Sequence, residues 1–145
     1  MAFARRAAAV VLGAGFLWLG ICAAQGQEKF NARLSPVPLD AAMRAPVAGS
    51  GSVAAVLTGV KLSITGSFEG LRTPATVARL HQGLATGVRG PAIGDLTVSK
   101  ATSGAITGSF ELSAEHVESL RRGRFYVQLH SEKAPDGNLW GWLLR

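Results

Sequence analysis

Arg124-Phe-Tyr-Val-Gln-Leu-His130-Ser-Glu-Lys-Ala-Pro135-Asp-Gly-Asn-Leu-Trp140-Gly-Trp-Leu-Leu144 reads from end to end as one β-hairpin. Phe125, Val127 and Leu129 alternate with Tyr126, Gln128 and His130, a period of two that turns the first set toward a core and the second toward the opposite face. Pro135-Asp136-Gly137 reads as the turn, because proline presets φ, aspartate bonds its own backbone and glycine accepts positive φ. The return strand then carries Leu139, Gly141 and Leu143 on one face and Trp140, Trp142 and Leu144 on the other.

Upstream of the hairpin stands the one credible helix. Ser113 is a good N-cap, Glu115 sits in the first turn, Arg121 and Arg122 in the last, and Gly123 closes it. Val117 and Leu120 share its apolar side, which leaves His116 and Glu118 for water. Earlier still, the hexapeptide Ile64-Thr-Gly-Ser-Phe-Glu69 recurs unchanged as Ile106-Thr-Gly-Ser-Phe-Glu111. In both copies isoleucine, glycine and phenylalanine share a face, and a glycine between larger residues marks a place where another side chain lies against the backbone. Two strands solving the same packing problem are preferred here to a duplicated hairpin as the reading of the recurrence.

Further strands are expected at Glu28–Leu34, Ser52–Thr58, Lys61–Phe68, Thr76–Gln82 and Asp95–Lys100, with Gly59 turning the second into the third. Pro36, Pro38 and Pro46 make residues 35–50 an irregular connection along an edge. Residues 83–94 form a glycine-rich loop that no helix start follows, so phosphate binding at a helix terminus is not supported. Seven or eight short strands and a single helix give an all-β fold, an antiparallel β-sandwich or flattened barrel.

The chain has 145 residues, and its start is of a different kind. Arg5-Arg6 precede an uncharged apolar run from Ala7 to Ile21, followed by small residues around Ala23-Ala24, which is the pattern of a helical secretory signal peptide over residues 1–26. The run is short for a membrane span, and no second one follows, so no span is expected after cleavage. Ile21 before Cys22 is too bulky for lipoprotein processing. Cleavage removes two of the 15 basic residues, none of the nine acidic ones and the only cysteine, leaving a net charge of +4. The remaining 27–145 make one domain of about 120 residues, large enough for a core without disulfides. Thiol nucleophiles and thiolate zinc sites are excluded, and the destination is the periplasm or the exterior.

The hairpin motif Tyr126-Val-Gln-Leu-His130-Ser, then Pro135-Asp-Gly137-Asn-Leu-Trp-Gly141, resembles the closing motif of CHRD domains, the module named after chordin. Gly66-Ser-Phe-Glu-Gly70-Leu71 and Ala78-Arg79-Leu80-His81-Gln82-Gly83 resemble that family's "GL" turn and its Ala-His-x-His-Gly strand, and residues 112–123 its helical turn. The resemblance covers residues from about 30 to 145. Arg79 departs from it, standing where the family usually has the first histidine, and Leu34-Ser-Pro-Val-Pro lacks an acidic residue often present there.

The family's His-x-His pair puts two imidazoles on one strand face, about 7 Å apart by strand rise, and a third from the last hairpin would complete a copper or zinc site. The pattern is similar to the histidine pair of Cu,Zn superoxide dismutase, so an Ig-like and a dismutase-like sandwich are both expected from it. His81 and His130 are the candidate ligands here, although a structural or hydrogen-bonding role is the plainer reading of both, and the Arg79 guanidinium cannot ligate and repels a cation. Arg79, His81, Tyr126 and His130 together form the candidate ligand surface, suited to an acidic group of an envelope or extracellular partner. The resemblance implies a non-catalytic binding or structural module with no cofactor. The alternative is a copper- or zinc-binding protein with redox or dismutase-like chemistry. Export and an ordinary charge argue against nucleic acid. Arg121, Arg122, Arg124 and Arg145 form a modest basic patch, and Trp140 with Trp142 resembles a stacking platform for sugars, although packing under a loop accounts for the pair equally well.

Overall fold

The computed structural model describes residues 26–37, 41 and 45–145; the signal peptide expected over 1–26 lies, apart from Gly26, outside them. Eight strands and one helix follow in the order β1 (Gln27–Pro36), β2 (Ser50–Thr58), β3 (Lys61–Glu69), β4 (Ala75–Gln82), β5 (Ala92–Val98), β6 (Gly104–Glu111), α1 (Ala114–Arg121), β7 (Phe125–Ser131) and β8 (Ala134–Trp142). All pairings are antiparallel, and they close into a barrel ordered β1-β2-β3-β6-β5-β4-β7-β8.

The barrel is flattened into two layers, and its corners are the seams with fewest partners. β5 meets β6 only through Thr97–Thr107 and Val98–Ile106, and β1 meets β8 through Ser35–Trp140 and Pro36–Leu139. A further bridge between Asn31 and Leu144 extends the second seam. Alternation decides what lies between the layers. Phe30, Ala32 and Leu34 from β1, Leu62, Ile64 and Phe68 from β3, and Phe125, Val127 and Leu129 from β7 are all buried, each set at the even spacing that puts it on one face. Helix α1 begins as its residues dictate, with Ser113 Oγ accepting from the His116 amide, and Val117 and Leu120 join the core. His116 is not free in water: its ring meets Phe125 edge-on at 5.9 Å.

The two identical hexapeptides are neighbours. β3 and β6 pair so that Ile64 lies opposite Gly108 and Gly66 opposite Ile106, about a centre at Thr65–Thr107. Each isoleucine therefore packs across the other copy's glycine. A Cβ on Gly66 would come within 2.8 Å of Val53 Cγ2, and one on Gly108 would run into the Leu96 side chain. The recurrence thus solves one packing problem twice within a single ladder.

The last hairpin keeps its expected faces but not its expected turn. Ser131 pairs with Ala134, so Glu132-Lys133 make the turn, whereas Leu129 pairs with Leu139. Between those pairs β8 spends Pro135, Asp136, Gly137 and Asn138 opposite His130 alone. Pro135-Asp136-Gly137 is therefore a bulge inside β8. Gly137 is required there: its φ is +131°, and a Cβ would collide with the Gln128 amide nitrogen. Asn138 is wholly buried, donating to Ser131 Oγ at 2.8 Å and accepting from the Ala48 amide at 3.2 Å, and so fixes the bulge to the segment before β2.

Leu129 has no exposed surface, and Leu129→Ala should cost about 2 to 5 kcal/mol by cavity formation. Urea unfolding measures it, and an unchanged midpoint would mean that the strand's faces are reversed.

Candidate functional site

The outer face of β4, β7 and β8 gathers the candidate residues in cross-strand rows. His81 pairs with Tyr126, and Tyr126 with Trp142; Arg79 pairs with Gln128, and Gln128 with Trp140; Val77 pairs with His130. Directly opposed residues in antiparallel strands share a face, so Arg79, His81, Tyr126, Gln128, Trp140 and Trp142 stand together. The face opposite the core is not left to water, since Tyr126 is 1% exposed and Gln128 3%.

What covers it is the loop 83–91. The Gly83 amide donates to Arg124 O at 2.7 Å and the Gln82 amide to Pro91 O at 3.0 Å, which brings both ends of the loop back onto the sheet. Tyr126 holds its middle, the phenol donating to Gly90 O and accepting from the Gly90 amide, each at 3.1 Å. The His81 ring stacks on Tyr126 at 4.8 Å with 15° between planes, and Trp142 packs on the same tyrosine at 4.5 Å. Arg89 reaches over Trp140, its guanidinium carbon 5.3 Å from the ring centre.

Both histidines are held in one way. His81 Nδ1 lies 3.0 Å from Gly90 O, and His130 Nδ1 lies 2.8 Å from Pro135 O. A carbonyl only accepts, so in the neutral rings Nδ1 carries the proton and Nε2 the lone pair. Both Nε2 atoms are shut off from solvent and have no hydrogen-bond partner. Burial pushes both imidazoles below their usual range, the two carbonyls pull the other way, and the Arg79 and Arg89 charges depress them further. His130 lies near enough for its charge to count against protonation of His81.

Arg79 turns to the neighbouring strand, where its Nε donates to Asp95 Oδ1 at 2.8 Å. The pair is directly opposed across β4 and β5, largely exposed, and worth about 1 kcal/mol at most. Gln128 fills the middle of the face and donates to Asp136 O at 3.1 Å. Arg89 and Gln128 were not legible as site residues. Arg89 sits in a loop with no periodicity, and Gln128 looked like a solvent-facing strand residue; only the alternation with Tyr126 and His130 placed it on the same face.

The other candidates are elsewhere. Of the four arginines of the basic patch, Arg121 reaches Glu28 at 2.6 Å and Glu118 at 2.8 Å, and Arg145 also bonds Glu28; two of the four charges are thus countered on the surface. A groove of about 430 Å³ lined by Arg33, Ser52, Ser67, Glu69 and Ser103 contains none of the histidines. Among the described residues, no three His, Cys, Asp or Glu side chains gather in a group able to hold a metal ion, and no helix there is long and apolar enough to cross a membrane.

A buried Tyr126 lies under a loop, with His81 on the neighbouring β4, His130 on its own strand β7 and a Pro-x-Gly bulge in β8. The model of the CHRD domain matches residues 30–143. The chain belongs to the CHRD domain family. Neither a curated protein nor a solved structure matches it. In this CHRD domain the matched region runs from Phe30 in β1 to Leu143, just beyond β8, and so takes in all eight strands except the first three residues of β1.

The lowered values of His81 and His130 set the sign of a pH effect. Above about pH 6.5 the histidines are neutral both folded and unfolded and contribute nothing to the pH slope. Below it the unfolded chain takes up protons that the folded one resists, so stability falls as pH is lowered through that value. Urea midpoints at pH 7.5 and pH 5 should differ, and the difference should shrink in the double variant His81→Gln, His130→Gln; an undiminished difference would assign the acid sensitivity to other groups.

Proposed function

We propose that this CHRD domain is a non-catalytic binding module, exported to the periplasm or the exterior, whose ligand surface is the outer face of β4, β7 and β8 under the loop 83–91. The observation that carries this is the pair of guanidiniums bordering the histidines, Arg79 beside Gln128 and Arg89 over Trp140. An acidic group of an envelope or extracellular partner meets those cations, and a hydroxyl on the same partner donates to an imidazole Nε2 that has no other proton donor. Export is supported by the apolar run after Arg5-Arg6 and the small residues around Ala23-Ala24 that follow it.

Glucuronate, which carries a carboxylate beside hydroxyls, serves as the probe and glucose as its uncharged control. In heteronuclear NMR titrations glucuronate should give saturable shifts at residues 79–91, 126–130 and 140, with glucose at least tenfold weaker and Arg89→Gln weakening glucuronate several-fold. Equal affinity for the two sugars, or shifts elsewhere on the barrel, would remove the acidic-ligand reading.

A second reading is favoured by one observation. A histidine whose Nδ1–H is tied to a carbonyl while Nε2 stays free is oriented as a metal ligand is, and both histidines are held so. This reading takes copper or zinc on His81 and His130, opposed by the Arg79 charge. Arg79→His, which removes that charge and adds a third imidazole, should then raise affinity for zinc and cupric ions by at least tenfold in calorimetry, and an unchanged affinity would count against it.

A further inference from the structure

We infer that the end of the barrel capped by α1 docks on an anionic phospholipid bilayer, with Leu84, Val88 and Leu144 entering the membrane interface and Arg122 and Arg124 meeting the headgroups. The inference goes beyond the ligand reading of the outer face of β4, β7 and β8 and stands without it.

Strand register places this surface. β1 starts at Gln27 opposite Thr58, β2 turns into β3 between Thr58 and Lys61, and β6 runs out at Glu111 opposite Lys61. β7 starts at Phe125 opposite Gln82, the last residue of β4. The β2–β3 turn, the loop 83–91, α1 and the residues after β8 therefore all meet at one end of the barrel. Among the described residues the exposed large apolar side chains are Val60, Leu84, Val88 and Leu144, and every one of them belongs to that end. Single exposed aliphatics are ordinary on a protein surface, whereas apolar groups gathered together and rimmed by polar residues mark an interaction site. Leu84 is the extreme case, 74% exposed.

The apolar residues are presented on fixed backbone. The Val88 amide donates to Ala85 O at 3.0 Å and closes a tight turn in which Gly87 has a φ of +82°, so Leu84 and Val88 flank that turn. Thr86 Oγ1 donates to Gly123 O at 2.8 Å, and the Gly83 amide to Arg124 O at 2.7 Å, which ties the loop to the end of α1. Leu144 is held by backbone hydrogen bonds to Asn31 and lies on the other side of the same glycine. A Cβ on Gly123 would come within 2.8 Å of Leu144 Cδ2 and 3.2 Å of Thr86 Oγ1. The loop and Leu144 thus adjoin across Gly123, and little has to be ordered when they bind.

Charge selects the occupant. Arg121 and Arg145 are engaged by Glu28 and Glu118, but no ion pair among the described residues takes up Arg122, Arg124 or the neighbouring Arg89. Arg122 lines a groove with Glu115 and Glu118 and pairs with neither. A dissolved acidic polymer would satisfy the arginines and leave the aliphatic side chains in water. A second copy related by a two-fold axis would set the same arginines against themselves. A bilayer with anionic headgroups receives both, since aliphatic groups enter the interface while guanidiniums stay at the headgroup level. The chain also enters the barrel at this end, so whenever the apolar run Ala7–Ile21 lies in a bilayer, this is the end next to it.

The test uses residues 27–145, which hold all eight strands and every core residue, sedimented with sucrose-loaded vesicles of phosphatidylcholine alone or mixed equally with phosphatidylglycerol. Binding to the mixed vesicles should be at least tenfold tighter than to phosphatidylcholine and should weaken as salt is raised. Arg122→Gln and Arg124→Gln should each weaken it about fivefold, and the double variant Leu84→Ser, Val88→Ser at least tenfold. Lys100→Gln, which removes one charge at the opposite end, should leave it within twofold. Because residues 27–145 lack cysteine, Leu84→Cys carries a single environment-sensitive fluorophore, whose emission should shift to the blue on mixed vesicles and stay unchanged with dissolved dextran sulfate. Equal binding to the two kinds of vesicle, or binding indifferent to Leu84 and Val88, would overturn the proposal. Dextran sulfate bound as tightly as the mixed vesicles, with no blue shift on either, would make the partner an acidic polymer and overturn it as well, and so would failure to sediment with the mixed vesicles.

Discussion

Strand β7 is buried on both faces, and the outer surface of the barrel is arranged around that constraint. Its inward residues Phe125, Val127 and Leu129 are apolar and need only packing, but its outward Tyr126 and Gln128 carry polar atoms that burial would leave without water. A buried donor without a partner costs about 1 to 3 kcal/mol, and the neighbouring strands cannot supply partners, because their own carbonyls are used in the ladders. The carbonyls must come from backbone that has left the ladder. Gly90 in the loop and Pro135 and Asp136 in the bulge are such places, and they receive Tyr126, His81, His130 and Gln128. The loop and the bulge are thus two answers to one requirement, and both admit glycine where a side chain would collide with Gln82 O or the Gln128 amide.

The same requirement explains what sequence patterning could and could not reveal. Alternation identified the core face of β7 and β8 because apolar burial is a local, periodic signal. It also put Ile64, Gly66 and Phe68 on one face, though not the fact that their copy lies in the adjacent strand. The turn was misplaced because Pro135-Asp136-Gly137 is the stronger local turn signal, and Glu132-Lys133 carries none of the residues that tight hairpins favour. What overrides it is non-local. Asn138 is bound to Ala48, ninety residues away, and the Gln128 and His130 side chains take the bulge carbonyls. A loop closing over an apparently solvent-facing strand is equally invisible to periodicity, which is why strand parity put Arg79 and His81 on one face and Tyr126, Gln128 and His130 on one face but showed neither the burial of Tyr126 and Gln128 nor the place of Arg89.

Aromatic packing supplies the rest of the cover. Tyr126 contacts His81, Trp142 and Trp140, and the two tryptophans meet at 6.2 Å. The tryptophans do not form an open platform: Trp142 is close enough to the loop that a Cβ on Gly83 would come within 2.8 Å of it, and Arg89 lies over Trp140. Arg89 thus covers the Trp140 side of the face. The arginine is exposed, its contact with the indole is worth about 0.5 to 1 kcal/mol at such a site, and displacing it is a small cost beside any specific binding energy.

Arg79 is the residue on which the chemistry of this face turns. It occupies the place where the family pattern has a histidine, and its pairing with Asp95 across the β4–β5 ladder directs it toward the exposed side of the sheet. An imidazole in that position would bring a third nitrogen; the guanidinium brings a fixed charge that its exposed partner offsets only in part. A guanidinium in that position therefore raises the electrostatic cost of a cation on this face. The acidic-ligand reading uses that charge, and the metal reading is opposed by it. Both follow from one side chain, and they separate because an anion gains from Arg79 what a cation loses, so its replacement by a neutral residue moves the two affinities in opposite directions.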